Sequence, residues 1–169
     1  MSQRVLIVGV SECGKSSLAR KLTQDSEIPV VVFDPMLSEW ASAYFVSEDI
    51  EAVKSELEKL RGNPHIAVID EAGDVFTVGQ RENHFLFTRG RHYGMLPIAI
   101  AQRMNMIAPN VRNMATDLYL FESALEDCEI LARDRNCPQL LQAAEFEAGD
   151  FFHLRRVDGK KELTQHRLW

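Results

Sequence analysis

The sequence predicts an α/β fold in which a mainly parallel β-sheet lies between helices, followed by a C-terminal β-hairpin. Short apolar runs alternate with amphipathic stretches along most of the 169 residues, which is typical of strands buried on both faces. A glycine-rich loop joins the first apolar run to the first amphipathic stretch, and two strand-like runs around a tight turn follow near the end. The length suits one domain over 1–169, with a core at about 4–121 and C-terminal helices and hairpin at about 122–169.

Five short apolar runs predict the parallel strands. Each is bounded by polar or turn-forming residues, as expected for strands buried on both faces of a sheet. The predicted strands are Arg4–Val8, Pro29–Phe33, His65–Ile69, Leu96–Ala101 and Leu118–Phe121.

Four amphipathic stretches predict helices. The clearest is Ser47–Arg61, in which apolar residues recur on one helical face. Ser47 is the predicted N-cap of this helix, and Gly62 begins its stop signal. The other predicted helices are Lys15–Gln24, Gln80–His92 and about Ala124–Arg133.

The last twenty residues predict a β-hairpin. Asp150–Val157 and Lys161–Trp169 are separated by Asp158-Gly159, a dipeptide that favours tight hairpin turns. Several charged side chains lie on this hairpin, and a solvated surface is the simplest interpretation of them.

Composition narrows the class of protein. Apolar residues make up 46% of the chain and charged residues 26%, as in ordinary soluble globular proteins. A membrane span needs roughly 20 apolar residues, and no run is that long. We expect no signal peptide, because the first apolar run leads directly into the glycine-rich loop. Three cysteines without a CxxC pair argue against a disulfide framework or a zinc site and favour a reducing compartment.

Charge is distributed unevenly along the chain. The net charge is −6, yet residues 80–113 contain five arginines and one acid, a local charge of +4. The remainder therefore carries −10. Such asymmetry can mark a surface that faces an anionic partner.

The glycine-rich loop predicts a nucleoside triphosphate site. It reads GVSECGKS and matches G-x-x-x-x-G-K-[ST], the Walker A pattern, at each fixed position. Glycines let backbone N–H groups converge on phosphates, Lys15 reaches the β- and γ-phosphates, and the Ser16 hydroxyl is placed to bind Mg²⁺. We interpret Cys13 as contributing only backbone here, with a redox switch as the alternative. The predicted nucleotide-binding residues are Gly9, Val10, Ser11, Glu12, Cys13, Gly14, Lys15, Ser16 and Ser17.

Two adjacent acids follow the third predicted strand and predict the Walker B half of the site. Asp70 would hold the Mg²⁺ shell through water, and Glu71 could polarise the attacking water. The alternative is that Glu71 only caps the following helix. Asp70-Glu71-Ala72-Gly73 also fits the D-x-x-G pattern of GTPases, but the chain contains no N-K-x-D tetrapeptide to select guanine. ATP is therefore the favoured nucleotide.

Gln102 directly follows the fourth predicted strand. If that strand lies between the first and the third, the Gln102 amide points at the γ-phosphate and could sense its presence. The alternative is a solvated polar residue at a strand end.

Four segments together resemble the FtsK–HerA superfamily, and within it the genome-packaging ATPases of membrane-containing tailless phages and archaeal viruses. The resemblance covers roughly residues 4–121 and is carried by GVSECGKS, VIDEAG, RGRHYGMLPIAIAQR and NVRNMATDLYLF. It implies a RecA-like core with an additional strand. It also implies a ring, usually a hexamer, that uses ATP to move double-stranded DNA and can contact capsid or portal-vertex proteins.

The resemblance also implies roles for particular residues. Lys15 and Ser16 match the family's phosphate-loop residues, Asp70 and Glu71 its acids, and Gln102 its sensor. The family completes its site with an arginine from the neighbouring subunit. The candidates for this arginine finger are Arg89, Arg91 and Arg112, and each could instead be a surface charge.

The sequence therefore predicts a Mg²⁺-dependent ATPase that translocates double-stranded DNA, in the host cytoplasm or associated with the virion. The DNA would meet the basic stretch from Arg81 to Arg112, or the hairpin residues Arg155, Arg156, Lys160 and Lys161. Two alternatives remain open: a nucleotide-dependent switch in virus morphogenesis, and a small-molecule kinase in which Arg89 and Arg91 form a lid.

Overall fold

The computed structural model describes residues 3–169, apart from the side chain of Arg91. Eight strands form one sheet in the order β3-β2-β4-β5-β1-β6-β7-β8. Strands β1 to β6 are parallel, and β7 and β8 are antiparallel. The strands are β1 (Val5–Val8), β2 (Val30–Phe33), β3 (Phe45–Ser47), β4 (His65–Ile69), β5 (Met95–Ala101), β6 (Asp117–Phe121), β7 (Asp150–Val157) and β8 (Lys160–Arg167).

Helices connect the parallel strands. The α-helices of the described chain are α1 (Lys15–Thr23), α2 (Ile50–Lys59), α3 (Ala72–Val75), α4 (Phe85–Thr88), α5 (Pro109–Arg112) and α6 (Leu125–Arg135). Short 3₁₀ turns cover Arg81–Asn83, Gly90–Tyr93, Met104–Met106 and Pro138–Glu145. None of these described helices is long and apolar enough to cross a membrane.

Alternation along the strands separates two buried layers. On β1, Leu6 and Val8 face the layer that receives α2 to α6, whereas Val5 and Ile7 face the layer that receives α1. This follows from the two-residue repeat of a strand, which sends successive side chains to opposite faces. The predicted α/β architecture, with a mainly parallel sheet between helices, is confirmed.

Strand β5 lies between β1 and β4. Ile100 is in register with Ile7 of β1, and Ile98 is in register with Val68 of β4. This is the strand order on which the prediction for Gln102 depended, and it is the additional-strand arrangement that the family resemblance implies. The carboxyl ends of β1, β4 and β5 therefore meet at one edge of the sheet.

The N-terminal boundary of the second predicted helix was wrong. Ser47 ends β3, a short edge strand that pairs with β2 and was not predicted. Helix α2 begins at Ile50, and the Asp49 carboxylate caps it by accepting a hydrogen bond from the Glu51 N–H at 2.9 Å. Ser47 fits the residue preferences of an N-cap, but its pairing with Phe33 of β2 keeps it in a strand.

The predicted continuous helix over Gln80–His92 was also wrong. The chain forms a 3₁₀ turn, the single turn of α4 and a second 3₁₀ turn instead. A Cβ on Gly90 would lie 3.1 Å from the Met95 carbonyl oxygen, so the chain passes close to β5 there. The His84 ring lies 2.8 Å from the Thr77 carbonyl, which holds the preceding loop. These tertiary contacts take the place of a regular helix.

The C-terminal hairpin is confirmed. Asp158 and Gly159 both have positive φ, at 50° and 78°, as a tight turn of the primed type requires. Strand β7 pairs antiparallel with β6, so the hairpin extends the main sheet. The His153 ring lies 3.1 Å from Asp117 Oδ1 and stacks on Tyr119, which joins the hairpin to β6 by side chains as well as by backbone.

Candidate active site

The phosphate loop is fixed at the carboxyl end of β1. The Gly9 N–H donates to the Ala101 carbonyl of β5 at 3.2 Å, and the Val10 N–H donates to the Glu122 carbonyl after β6 at 2.8 Å. A Cβ on Gly9 would lie 2.6 Å from the Cys13 sulfur, so only glycine fits at this position of the loop. The two neighbouring strands thus hold the start of the loop from both sides.

The end of the loop turns into α1 through Gly14. Its φ of 113° is accessible to glycine but strained for other residues. The buried Lys15 ammonium donates to the Val10 carbonyl and lies 3.9 Å from the Cys13 sulfur. The charge of Lys15 is therefore held over the loop, at the place where the motif predicts phosphate binding.

Ser16 and Asp70 meet across the site. The Ser16 hydroxyl donates to Asp70 Oδ2 at 3.2 Å, and Asp70 Oδ1 accepts the Glu71 N–H at 3.0 Å. Burial raises the pKa of Asp70 above its usual range, and the negative charge of Asp34 adds to this rise. A bound cation would offset that cost. The structure thus brings the two predicted metal-binding residues into contact with each other.

This pair fits Mg²⁺ by its chemistry. A hydroxyl and a carboxylate are the hard oxygen ligands that Mg²⁺ prefers, and the ion usually takes only one or two protein ligands besides phosphates and waters. Among the residues that the structure describes, no cluster of three or more histidine, cysteine or acidic side chains forms an all-protein metal site.

Gln102 connects the phosphate loop to Glu71. Its amide oxygen accepts a hydrogen bond from the Ser11 hydroxyl at 3.1 Å, and its Nε2 donates to Glu71 Oε1 at 2.9 Å. Gln102 is exposed to solvent at the strand end and also makes these two contacts. A polar chain of three side chains runs from the loop to the acid that follows Asp70.

Glu71 adopts an unusual backbone conformation. Its φ of 54° and ψ of 45° lie in the left-handed region, which is uncommon for a residue with a side chain. Its carboxylate makes no capping hydrogen bond with α3, although the residue precedes that helix. The left-handed turn places the carboxylate beside Gln102 rather than at the helix start.

Asp34 is a site residue that sequence reasoning missed. It directly follows β2 and ends at the same sheet edge, which was the available signal. Its buried carboxylate accepts hydrogen bonds from the Met36 N–H, the Ser38 N–H and Trp40 Nε1 at 2.8–3.0 Å. Burial raises the pKa of Asp34, but these hydrogen bonds outweigh it and leave the pKa below its usual value. Asp34 thereby holds a loop against the site.

These residues surround a cleft of about 180 Å³ at the carboxyl edge of the sheet. It brings four of the predicted nucleotide-binding residues, Ser11, Glu12, Lys15 and Ser16, together with Asp70 and Glu71. The cleft is lined by Ser11, Glu12, Lys15, Ser16, Asp34, Met36, Ser38, Asp70, Glu71 and Gln102.

Two of the three finger candidates, Arg89 and Arg112, do not line this cleft. Arg112 is mostly buried and pairs with Asp134 at 2.9 Å. Arg89 is exposed and lines a separate cavity of about 660 Å³ beside α4 and α5. The side chain of Arg91 lies outside the described part of the chain. Arg103, another arginine of the basic stretch, is paired with Asp127 at 2.7 Å.

A family model for ATPases associated with various cellular activities (AAA) matches residues 5–122. The match spans more than half of the chain and includes both halves of the cleft. The chain belongs to this family. The prediction of an ATP-binding ATPase is confirmed. No curated protein sequence matches the chain significantly.

Solved structures share the fold at low sequence identity. The DNA-packaging ATPase B204 of Sulfolobus turreted icosahedral virus is 18% identical, with a TM-score of 0.75 over 96% of this chain and 98% of that one. The genome-packaging NTPase B204 of Sulfolobus turreted icosahedral virus 2, in complex with ATP-gammaS, is 16% identical, with a TM-score of 0.80 over 99% and 98%. The N-terminal domain of zonular occludens toxin from Neisseria meningitidis is 15% identical, with a TM-score of 0.62 over 99% and 95%.

Proposed function

We propose that this ATPase moves double-stranded DNA, and that it does so in viral genome packaging. The observation that carries the proposal is the extent of the structural match. The chain aligns with two packaging ATPases over 96–99% of its own length and 98% of theirs, so the C-terminal hairpin is shared as well as the ATPase core. The sequence resemblance to the FtsK–HerA packaging ATPases points the same way independently.

The chemistry proposed is in-line attack of water on the γ-phosphate. Glu71 orients the water, and Lys15 offsets the charge that develops on the phosphate. Mg²⁺ held by Ser16 and Asp70 would supply further positive charge at the phosphates. Glu71 is suited to its role because its carboxylate faces the cleft and its Oε1 is already held by Gln102.

Gln102 couples this chemistry to conformation. It contacts both Ser11 in the loop and Glu71 at the water site, at 3.1 and 2.9 Å. A γ-phosphate next to the loop competes for the Gln102 amide and so alters its hold on Glu71. Gln102 therefore couples the presence of the phosphate to the conformation of Glu71 and of the end of β5.

Arg89 is the proposed arginine finger, acting on the neighbouring subunit of a ring, which we take to be a hexamer. Arg89 lines the cavity beside α4 and α5 and does not line the phosphate-loop cleft of its own subunit. As a finger it would therefore act on the γ-phosphate bound in another subunit. Arg112 is less suited, because leaving Asp134 would break a mostly buried ion pair. Arg91 remains a second candidate.

Two basic surfaces could meet DNA phosphates. In the stretch from Arg81 to Arg112, the ion pairs of Arg103 and Arg112 reduce the free charge, and Arg81 shares the cavity of Arg89. On the hairpin, Arg156 and Lys160 are exposed, whereas Arg155 pairs with Glu162. We propose the hairpin pair as the DNA contact, which leaves Arg89 for catalysis in trans.

The test is phosphate release from ATP with and without double-stranded DNA at low salt. Phosphate contacts weaken steeply with salt, so DNA stimulation should fall as salt is raised. We expect stimulation in the wild type and none in Glu71→Gln. The double variant Arg156→Ala/Lys160→Ala should keep its basal turnover and lose the stimulation. The matched variant Lys21→Ala/Lys59→Ala, at exposed positions of α1 and α2, should retain both.

Turnover indifferent to DNA in an assembled preparation would contradict the proposal. It would favour a nucleotide-dependent assembly switch, in which Gln102 performs the same sensing without a DNA substrate. Transfer of phosphate to an added small-molecule acceptor instead of water would favour a kinase. The proposed location in the host cytoplasm or at a capsid vertex would be tested by recovering the protein with purified virions.

A further inference from the structure

The indole ring of Trp169 lies against the phosphate loop and does not line the cleft of Asp70 and Glu71. A Cβ on Gly14 would be 2.9 Å from the Trp169 ring, and a Cβ on Gly149 would also be 2.9 Å from it. The ring thus packs directly on the backbone of two glycines. Trp169 is nevertheless 63% exposed, so much of the ring faces solvent.

This position of Trp169 is tied to the loop by hydrogen bonds. The Leu168 N–H donates to the Gly149 carbonyl at 2.8 Å, and the Gly149 N–H donates to the Cys13 carbonyl at 3.0 Å. Leu168 also packs against the buried layer that contains Cys13. The chain that carries the ring is therefore anchored to the loop and not merely adjacent to it.

The direction of a bound triphosphate follows from the strand order. The γ-phosphate side of the loop is marked by Glu71 and Gln102, which follow β4 and β5 on one side of β1. The nucleoside end must then leave the loop on the other side, toward β6 and β7. Gly149 immediately precedes β7, and Trp169 lies between it and Gly14.

We propose that Trp169 is the base platform of the nucleotide site, with the solvent-facing part of the indole stacking on the purine. Aromatic stacking of this kind uses the π-face that all bases share, and it is worth enough to change affinity roughly tenfold. It recognises the purine without distinguishing adenine from guanine. The inference depends on nucleotide binding at the loop and not on DNA translocation.

The experiment compares ligands with and without a base. Trp169→Ala should weaken ATP and GTP binding roughly tenfold by calorimetry, and it should leave inorganic tripolyphosphate binding unchanged. Trp169→Phe should recover most of the lost affinity, because phenylalanine keeps an aromatic face. Tyr44→Ala is the matched control, since Tyr44 is similarly exposed at 61% and lies before β3 at the far edge of the sheet.

Fluorescence gives a second readout that does not need a truncated side chain. The chain has two tryptophans, and Trp40 is buried. ATP should quench the wild-type emission, tripolyphosphate should not, and the quenching should disappear in Trp169→Phe. Equal losses of ATP and tripolyphosphate affinity in Trp169→Ala, or quenching that persists in Trp169→Phe, would show that the ring only packs on the loop. Either result would leave DNA-stimulated hydrolysis untouched as a separate question.

Discussion

At the scale of single residues, a polar chain from Ser11 through Gln102 to Glu71 links three motifs of the candidate site. These motifs are the phosphate loop, the acids after β4 and the residue after β5. Each side chain comes from a different strand end, and each is held by a contact of 2.9–3.1 Å to the next. The Glu71 carboxylate makes no capping hydrogen bond with α3, so the helix that follows it does not orient this side chain. Removing any member should therefore affect the others.

Glu71→Gln should abolish turnover while leaving ATP binding intact. The amide fills the same space but cannot take up a proton, and a positioned general base contributes roughly 10²–10⁴ in rate. We expect kcat to fall at least about 100-fold with little change in the dissociation constant for ATP. Glu51→Gln, on the exposed surface of α2, is the control and should behave as wild type.

Gln102→Ala should lower kcat about 10- to 100-fold, because Glu71 loses the donor that orients it. The KM for ATP should change much less, since the residues that hold the phosphates remain. Steady-state kinetics at several ATP concentrations separate the two effects. An increase in KM with unchanged kcat would mean that Gln102 only binds substrate and does not position Glu71.

Cys13 and Cys128 should be unreactive at neutral pH. Burial raises the pKa of Cys13 despite the nearby charge of Lys15, and burial raises the pKa of Cys128 to about 11. The thiolate is the reactive species, so labelling by iodoacetamide should be slow at pH 7 and accelerate as the pH rises. Mass spectrometry of native and guanidinium-unfolded protein would measure this. Fast native labelling of Cys13 at pH 7 would instead revive the redox-switch hypothesis.

At the scale of elements, the hairpin is attached to the ATPase core by β6. The Asp117–His153 contact and the stacking of His153 on Tyr119 attach β7 to the start of β6. Trp169, which follows β8, packs on the phosphate loop. The hairpin is therefore anchored both to β6 and to the phosphate loop. If the phosphate loop moves when nucleotide binds, its contact with Trp169 would transmit that movement to the hairpin.

Asp117→Asn should destabilise the protein near neutral pH but not in acid. Burial raises the pKa of Asp117, but hydrogen bonds from His153 and Thr116 outweigh it and leave the pKa below its usual value. A carboxylate with a lowered folded-state pKa contributes stability above its unfolded pKa of about 3.9 and loses it as the pH falls through the folded value. The free energy of unfolding should therefore differ by about 1–2 kcal/mol at pH 7.

That difference between wild type and Asp117→Asn should shrink as the pH falls from about 5 to about 2. Urea unfolding at a series of pH values measures it. Asp158→Asn, at the exposed turn of the same hairpin, is the matched control and should show no such trend, because asparagine also tolerates the left-handed backbone found there. A difference that is constant with pH would mean that the carboxylate charge is not responsible.

At the scale of the whole molecule, the separation of Arg89 from its own cleft makes the proposed ring testable. Mixing Glu71→Gln subunits with Arg89→Ala subunits should restore hydrolysis, since each variant supplies what the other lacks. An arginine finger contributes roughly 10³–10⁵ in rate, so each variant alone should be nearly inactive. Light scattering would report the size of the assembly in parallel.

The control for this mixture is Arg81→Ala, because Arg81 lines the same cavity as Arg89. It should keep activity by itself if Arg89 is the finger. Failure of the mixture to exceed the sum of its parts would remove Arg89 from catalysis and return attention to Arg91.

Much of the site could be predicted from local sequence. The phosphate loop needs glycine where the backbone is crowded at Gly9 or left-handed at Gly14, and a lysine and a hydroxyl at fixed offsets from them. Asp70 and Glu71 follow an apolar run that can only be a buried strand. These constraints are local, so a short stretch of sequence is enough to express them.

The remaining features needed the tertiary structure. Whether Gln102 could reach Glu71 depended on the position of β5 between β1 and β4, and no local pattern encodes strand order. Asp34 and Trp169 gave no motif, and Arg112 was indistinguishable from Arg89 until its partner Asp134 came into contact from α6. The sequence by itself determined the phosphate loop and the pair of acids after β4, because those patterns are local. Only the packed sheet decided which distant side chains complete the site, because side-chain partners from different elements are brought together only by long-range packing.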